Sequence, residues 1–345
     1  MTGICNAVTI LPELSDKRIA KEWVDRVYAA DNRNSVKYSG ADMRLISMIC
    51  AGLLAATPAI AQERETLGFG RLFNNDQIGD IDDRWRTASY AYSIVRGPEW
   101  EGQTPSAPGA ILEYRLRSEI IAPQRLNGPL SDDRAYVGAL SAGMHTHFNR
   151  GGADISGGVD LVVLGPQTGV ADFQDWVHDV VDAPNVSNAM LANQVPNSFH
   201  PTALGEVAYP VRMSDTAQIR PFVQGQYGVE DILRVGVDVI IGSVGQNDLW
   251  LRDSASGHLY SGVESRGVGN SVVMGFDYGM VGDSAYFPAS FGTVAEDTRL
   301  RARAGLHSRF GERISFFYGV TYLTEEYVGQ SEGQLIGSLK LNLNF

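Results

Sequence analysis

The residues best placed for chemistry lie in the segment 164–178, where a strand pattern ends and a helix pattern begins. After Gly169 the spacing of the apolar residues changes from two to about three and a half, which predicts a short amphipathic helix. Gln174 and His178 are four residues apart and therefore share one face of that helix. Imidazoles titrate near neutral pH, so a histidine held beside an amide is a candidate general base. From these residues alone, a surface helix with an incidental histidine is the simpler interpretation.

A cluster of amide and carboxylate side chains follows the first strand pattern of the chain. Asn75-Asp76 opens a loop that also holds Asp80, Asp82 and Asp83. Oxygen ligands of this kind are the ones that Ca²⁺ prefers. The spacing does not match an EF-hand loop, and acidic loops are most often only solvated. Metal binding is therefore the minority interpretation of this loop from composition alone.

The alternation of strand residues predicts which face of a strand several other polar residues occupy. Thr87 alternates with Ser89, so it is predicted to face the same polar side, where a threonine is most often only a lining residue. His145 and His147 share one face of a strand and could supply two metal ligands, but no third ligand is evident nearby and a polar lining is the alternative. Ser141 matches a nucleophile elbow only in part, because the first glycine is missing and the serine lies within a strand.

The start of the chain has the pattern of a targeting segment. From Met43 onward, a charged residue, a short apolar run and the ending Ala59-Ile60-Ala61 are the parts of a secretory signal peptide. We therefore predict a doubtful upstream extension at 1–42, a signal peptide at 43–61 and a mature chain at 62–345. A buried helix over 45–61 is the alternative. Both cysteines precede residue 61, so the predicted mature chain has no disulfide or thiolate chemistry.

Long segments of the mature chain alternate between polar and apolar residues. In 111–121 one face carries Glu113, Arg115, Arg117 and Glu119, and the other carries Leu112, Tyr114 and Leu116. Such charges cannot face an apolar core, whereas the lumen of a membrane barrel accepts them. A soluble β-sandwich also alternates, but these strands reach about ten residues, as tilted membrane strands must. The formal net charge of −12 argues against a nucleic-acid-binding surface.

These patterns predict an all-β fold, a twelve-stranded antiparallel transmembrane β-barrel with a short extracellular loop helix. An even number of strands is what a single-chain bacterial barrel requires. The two longest connections, 165–199 and 244–267, are both expected to be extracellular. The predicted strands are 66–73, 84–97, 110–121, 133–148, 152–164, 200–213, 217–227, 230–243, 268–282, 297–309, 313–325 and 333–345.

Several motifs, taken in order, resemble the family of outer-membrane lipid A 3'-O-deacylases along nearly the whole predicted mature chain. They are Asn75-Asp76, Asp83-Arg84-x-x-Thr87, Asp133-Arg134-Ala135-Tyr136, Gly165-Pro166 with Gln174-x-x-x-His178, and the ending from Gly329-Gln330 to Phe345. The resemblance implies a twelve-stranded outer-membrane enzyme that needs Ca²⁺ and removes the 3'-linked acyloxyacyl group of lipid A. Lipid A or lipopolysaccharide and the outer-membrane lipids are then the expected partners of a monomeric bacterial outer-membrane protein.

The resemblance also implies roles for individual residues. His178 would be the general base that activates water, and Asn75, Asp76 and Thr87 would bind Ca²⁺ or orient the substrate carbonyl. Helix spacing adds the hypothesis that Gln174 orients the imidazole.

Two family features have no clear match in this sequence. The basic residues that precede the fourth strand in the family are reduced here to Arg125. The acidic residue that follows the histidine has two candidates, Asp179 and Asp182.

Two other functions stay open from the sequence. An outer-membrane phospholipase with a serine nucleophile is disfavoured by the poor context of Ser141. A porin-like barrel without enzymatic activity is mildly disfavoured, because side chains should largely fill the lumen of a barrel with so few strands.

Overall fold

A computed structural model describes residues 64–127, 133–311 and 314–343. The predicted extension 1–42, the predicted signal peptide 43–61 and the terminal Phe345 lie outside the described residues. No helix among the described residues is long and apolar enough to cross a membrane.

Twelve antiparallel strands of the described chain close into a barrel, which confirms the predicted fold. Each strand pairs with the next barrel strand along the chain, and the barrel closes where its first strand, Glu65–Asn75, pairs with its last, Gln334–Leu343. The strands of the barrel are β1 Glu65–Asn75, β2 Trp85–Gly97, β3 Ile111–Ala122, β4 Val137–Arg150, β5 Ala153–Leu164, β6 Ser198–Ala208, β8 Ala217–Tyr227, β9 Glu230–Gly242, β12 Gly269–Ser284, β13 Thr298–Phe310, β14 Ile314–Leu323 and β15 Gln334–Leu343. The shorter elements are β7 Val211–Ser214, β10 Leu249–Arg252, β11 Leu259–Val263, helices α1 Val170–Val181 and α2 Asn188–Ala192, and 3₁₀ turns at Pro166–Thr168 and Ala289–Phe291.

The alternation along each strand separates a charged interior from an apolar exterior. On β3, Glu113 and Arg115 are buried inside the barrel, whereas Tyr114 and Leu116 face outward, with Leu116 56% exposed. An outward apolar band around a polar lumen is the arrangement that a lipid bilayer requires of a barrel. The two faces of β3 therefore have the orientation that the sequence predicts.

Ion pairs occupy much of the barrel interior. Asp277 lies 2.9 Å from both Arg234 and Arg301. Asp238 lies 2.7 Å from Arg252 and also contacts Arg303. Buried charges are tolerated only when they are paired and hydrogen-bonded, so these pairs hold the long arginine side chains in place inside the barrel.

The connection 244–267 is an interior hairpin, and the prediction that it is extracellular is wrong. Strands β5 and β9 run in opposite directions, so 244–267 lies at the end of the barrel opposite to 165–199. Within it, β10 pairs with β11, and Leu251 and Tyr260 pack against Leu72 of the barrel wall. The hairpin therefore fills part of the lumen with apolar side chains.

The predicted strand 200–213 is divided in two. Strand β6 ends at Ala208, because Pro210 has no N–H to donate to a ladder. The short β7 then continues along β8 in the same register, so the interruption is confined to residues 209 and 210.

Helix α1 and the segment after it pack on the outer wall of the barrel at the end where β1 and β5 finish. Ile120 of β3 alternates with the outward-facing Leu116, yet it is buried, because Val170 and Met190 cover it. At Gly138 of β4 a Cβ atom would come within 2.8 Å of the Thr168 hydroxyl. Glycine therefore allows the turn that precedes α1 to approach the wall closely.

The interior ion pairs generate a stability prediction. Replacing Asp277 with alanine leaves Arg234 and Arg301 without their shared carboxylate, so the free energy of unfolding should fall by about 3–5 kcal/mol. The change is measured by urea unfolding of the micelle-bound barrel. Asp283→Ala, at an exposed position of the same strand, is the matched control and should change stability little. Equal stability of the two variants would contradict the role assigned to the ion pairs.

Candidate active site

The loop between β1 and β2 is built around Asp76, whose side chain is fully buried. One carboxylate oxygen accepts a hydrogen bond from the Gln77 N–H at 2.9 Å, and the other accepts one from the Arg84 N–H at 2.6 Å. The loop is closed by backbone in the left-handed region at Ile81, with φ 68°, and at Trp85, with φ 51°. Such conformations are costly for these residue types, and they persist where the surroundings impose them, commonly at functional sites.

Burial raises the pKa of Asp76, which lies outside the membrane-spanning strands, to about 9. The nearby carboxylates of Asp83 and Asp80 raise it further, whereas the hydrogen bond from Arg84 lowers it. A carboxylate in this position is costly to ionise unless a cation compensates it. Without such a cation, Asp76 therefore stays protonated at neutral pH.

His178 of α1 faces the barrel wall and is held at both ring nitrogens. Its Nδ1 lies 2.7 Å from the carbonyl oxygen of Pro184. Because a carbonyl only accepts, Nδ1 must carry a proton, which leaves Nε2 as the reactive nitrogen. Nε2 lies 3.3 Å from the Asp83 carboxylate. Burial raises the pKa of Asp83, and the neighbouring His178 opposes part of that increase.

Gln174 shares the buried face of α1 with His178, as predicted, but its hydrogen-bond partner is different from the one expected. The Tyr136 hydroxyl donates to the Gln174 side-chain oxygen at 2.8 Å. The imidazole is oriented by the Pro184 carbonyl. The described residues show no hydrogen bond between Gln174 and His178, and a role of Gln174 in orienting the ring stays a prediction.

Asn75 precedes and Thr87 follows the loop that holds Asp76 and Asp83. Thr87 is buried, and its hydroxyl has no hydrogen-bond partner among the described residues. The strand register shifts between Trp85 and Ala88, so the alternation that predicts an inward Thr87 is broken there, and Arg86 is the residue that reaches the lumen, where it contacts Glu326. Asn75 lies between the inward-facing Asn74 and Asp76, so its side chain points outward. The Asn75 amide oxygen accepts a hydrogen bond from the Gln77 N–H at 2.9 Å. The structure thus brings Asp76, Thr87 and His178 to one rim of the barrel and puts Asn75 on the outer edge of that rim.

Asp83 is the contact of His178 that sequence reasoning missed. Asp179 and Asp182 follow the histidine directly, but Asp179 accepts from the Asn185 amide and Asp182 ends the helix in a left-handed conformation. Asp83 was visible as the first residue of its motif, yet no local signal indicated that the loop after β1 would meet α1. Arg125 is exposed, and part of the loop that follows it lies outside the described residues.

The other sequence candidates are parts of the barrel interior. His145 lies 3.0 Å from Asp160, and His147 lies 2.9 Å from Glu113. Ser141 pairs with Arg117 in the middle of β4 rather than standing on a strand-to-helix turn. These residues therefore line the interior, in agreement with the simpler interpretation.

The oxygen atoms near His178 are of the kind that Ca²⁺ accepts. Within the described ranges, no group of three or more His, Cys, Asp or Glu side chains is arranged to hold a metal ion. However, one carboxylate oxygen of Asp83 and the Thr87 hydroxyl are buried without hydrogen-bond partners. Carboxylate, hydroxyl and amide oxygens with waters are typical Ca²⁺ ligands, so the donor chemistry fits this cation.

Comparison with known proteins connects the fold to one family. The family model described as outer membrane protein LpxR matches residues 46–197. Among solved structures, LpxR from Salmonella typhimurium matches with a TM-score of 0.66 at 16% sequence identity, covering 81% of this chain and 100% of that chain. At this identity the structural match concerns the fold, whereas the family model spans α1 and its histidine. The chain has the fold of a bacterial outer-membrane barrel.

Other barrels are much less similar. The KdgM porin matches with a TM-score of 0.38 at 6% identity, covering 81% of this chain and 98% of that chain. The β domain of the Bordetella autotransporter BrkA matches with a TM-score of 0.40 at 11% identity, covering 81% and 99%. Similarity at this level carries no argument about function. No curated protein sequence matches the chain.

The raised pKa of Asp76 predicts how stability depends on pH in buffer without divalent cations. The folded state holds the Asp76 proton up to about pH 9, whereas the unfolded state releases it near the ordinary value of 3.8. The free energy of unfolding should therefore fall as the pH rises through that interval. Urea unfolding at pH 5 and pH 8 should show a smaller loss for Asp76→Asn than for the wild type. An equal loss in both would contradict the prediction, and Asp215→Asn, at an exposed position, is the control.

Proposed function

We propose that this chain, which belongs to the LpxR family of outer membrane proteins, is a Ca²⁺-dependent esterase that removes the 3'-linked acyloxyacyl group of lipid A. One observation carries the proposal. The buried Nε2 of His178 lies 3.3 Å from Asp83 at the outer rim of the wall, with its tautomer fixed by Pro184. This is the arrangement of a general base that can act on a lipid held outside the barrel.

His178 is proposed to transfer a proton from the attacking water to the departing sugar oxygen. A water molecule attacks the ester carbonyl carbon while Nε2 takes one of its protons. The bond between that carbon and the 3'-oxygen of the sugar then breaks, and Nε2 returns the proton to the departing oxygen. The products are a sugar 3'-hydroxyl and a free acyloxyacyl acid, and no acyl-enzyme forms.

Asp83 is proposed to assist His178 electrostatically. When Nε2 takes the proton, the imidazolium lies against a carboxylate in a partly buried position, where opposite charges attract more strongly than in water. The contact at 3.3 Å therefore favours proton uptake by the ring, and the fixed ring orientation directs that uptake to Nε2.

Asp76 and Thr87, with Asn75 at the edge of the rim, are proposed to hold the cation or to orient the ester carbonyl. When bound, Ca²⁺ would polarise the carbonyl and stabilise negative charge on its oxygen. The buried position and raised pKa of Asp76 and the unpartnered Thr87 hydroxyl support this assignment. A bound cation would also permit Asp76 to ionise at neutral pH.

The position of α1 supports a lipid substrate. His178 lies between the helix and the outer wall, next to the surface that faces the outer leaflet, so an acyl ester can arrive without leaving the membrane. The lumen offers no comparable route, because Arg301 and the other interior charges are paired and the β10–β11 hairpin occupies part of the space.

The alternatives have less support. A serine phospholipase would need an exposed nucleophile beside a base, whereas Ser141 faces Arg117 within the barrel. A porin would need a continuous water path, whereas the interior of the described barrel is crossed by ion pairs such as Asp238 with Arg252.

The proposal predicts the effect of removing the base and the cation. His178→Ala should lower the rate of fatty-acid release from purified lipid A by about 10²–10⁴-fold, the usual contribution of a general base. Chelation of Ca²⁺ should abolish release by the wild type, and added Ca²⁺ should restore it. The measurement is the initial rate of release by the detergent-solubilised full chain.

His200→Ala is the matched control, since His200 is another histidine at the same rim, where it contacts Ser198 rather than Asp83. This variant should keep nearly the wild-type rate. Equal rates for His178→Ala and His200→Ala would refute the assignment of the base, and activity that persists in chelator would refute the Ca²⁺ requirement.

A further inference from the structure

Helix α1 has three distinct faces rather than two. Val170, Gln174 and His178 face the barrel wall and are buried. Asp172, Asp175 and Asp179 form a second stripe at helical spacing. The third stripe consists of Phe173, Trp176 and Val180, hereafter the apolar stripe.

The apolar stripe is exposed. The exposed fractions are 58% for Phe173, 61% for Trp176 and 69% for Val180. The two aromatic rings lie beside each other, with centroids 5.8 Å apart. A soluble helix normally buries its apolar side, whereas α1 packs through Gln174, His178 and Val170 and leaves the apolar stripe exposed.

The surroundings of the stripe indicate what covers it. Helix α1 packs on the outward faces of β3 and β4, where Ile120 is covered and the residues below it on the same strands remain exposed. Leu116 of β3 and Met144 of β4 belong to the apolar exterior that faces lipid. A helix fixed to that wall continues the lipid-facing surface toward the rim.

We propose that the apolar stripe of α1 enters the acyl-chain region of the outer leaflet and that lipid acyl chains are its occupant. The acidic stripe, which flanks the apolar stripe on one side, then faces water. A helix with segregated apolar and charged stripes lies in the plane of a membrane interface, and tryptophan is enriched at that depth.

The acidic stripe argues against direct binding of anionic headgroups by α1. The helix contains no lysine or arginine, so its attachment to the membrane rests on the buried apolar area. The same placement brings the acyl chains beside the helix that carries His178. The proposal does not depend on which reaction the protein performs.

Fluorescent labelling in vesicles tests the placement. In the full chain with Cys5→Ser and Cys50→Ser, single cysteines are introduced by Trp176→Cys and Val180→Cys and labelled with an environment-sensitive fluorophore. Because both positions are exposed, the label does not disturb packing, and the shift in gel mobility on heating verifies folding. The barrel is reconstituted into phosphatidylcholine vesicles that contain lipid with a nitroxide high or low on the acyl chain.

We expect both labels to be quenched by the upper nitroxide and protected from aqueous iodide. Phe276→Cys, on the outward face of β12, is the lipid-embedded reference, and Asp172→Cys is the water-exposed reference. Access of iodide to both test labels at the level of Asp172→Cys would overturn the proposal. Protection from iodide without nitroxide quenching would also overturn it, because a second copy of the chain rather than lipid would then cover the stripe. Neither readout uses catalysis, so failure here is distinct from failure of the proposed reaction.

Discussion

The pairing of buried charges inside the barrel constrains everything else in this structure. A lipid-facing exterior leaves only the interior for arginines and carboxylates, and their desolvation is tolerated only when each has partners. Asp277 satisfies that condition by pairing with Arg234 and Arg301 of the two adjacent strands, and Asp238 does so by pairing with Arg252 of the interior hairpin. The interior charges therefore stabilise the fold. Chemistry on a lipid must then take place at the rim, on the outer side of the wall.

The rim site is assembled from two loops that are distant in the sequence. The loop after β1 provides Asp76 and Asp83, and the long connection after β5 provides α1 with His178. Helix α1 turns its polar face to the wall, which places a basic nitrogen against a carboxylate beside the lipid phase. The same orientation leaves Trp176 and its neighbours facing away from the wall. The proposed placement of the base and the proposed contact with lipid are thus two consequences of one helix orientation.

The sequence predicted the barrel well, because polar and apolar residues alternate along a membrane strand and thereby identify its two faces. The charges of β3 and the twelve alternating segments are local signals, and the structure has the same strands within a few residues. The predictions from sequence were wrong where the location of a segment depends on contacts with residues distant in the chain. The segment 244–267 lies at the other end of the barrel because of the directions of the strands before it. Its apolar residues, such as Leu251, pack inside the barrel. Neither property has a local sequence pattern that would distinguish an interior hairpin from an exposed loop. The hydrogen-bond partners of Gln174 and His178, which are Tyr136 and Pro184, also have no local pattern in the sequence.

The central claim is that the ester cleaved is the one at the 3'-position of lipid A. Tandem mass spectrometry of lipid A, incubated with the full chain in the presence of Ca²⁺, tests this most directly because fragmentation reports which sugar oxygen has lost its acyl group. We expect a product that lacks the whole acyloxyacyl group at the 3'-oxygen and keeps all other acyl chains. A product deacylated at another position, or lipid A that stays intact, would contradict it.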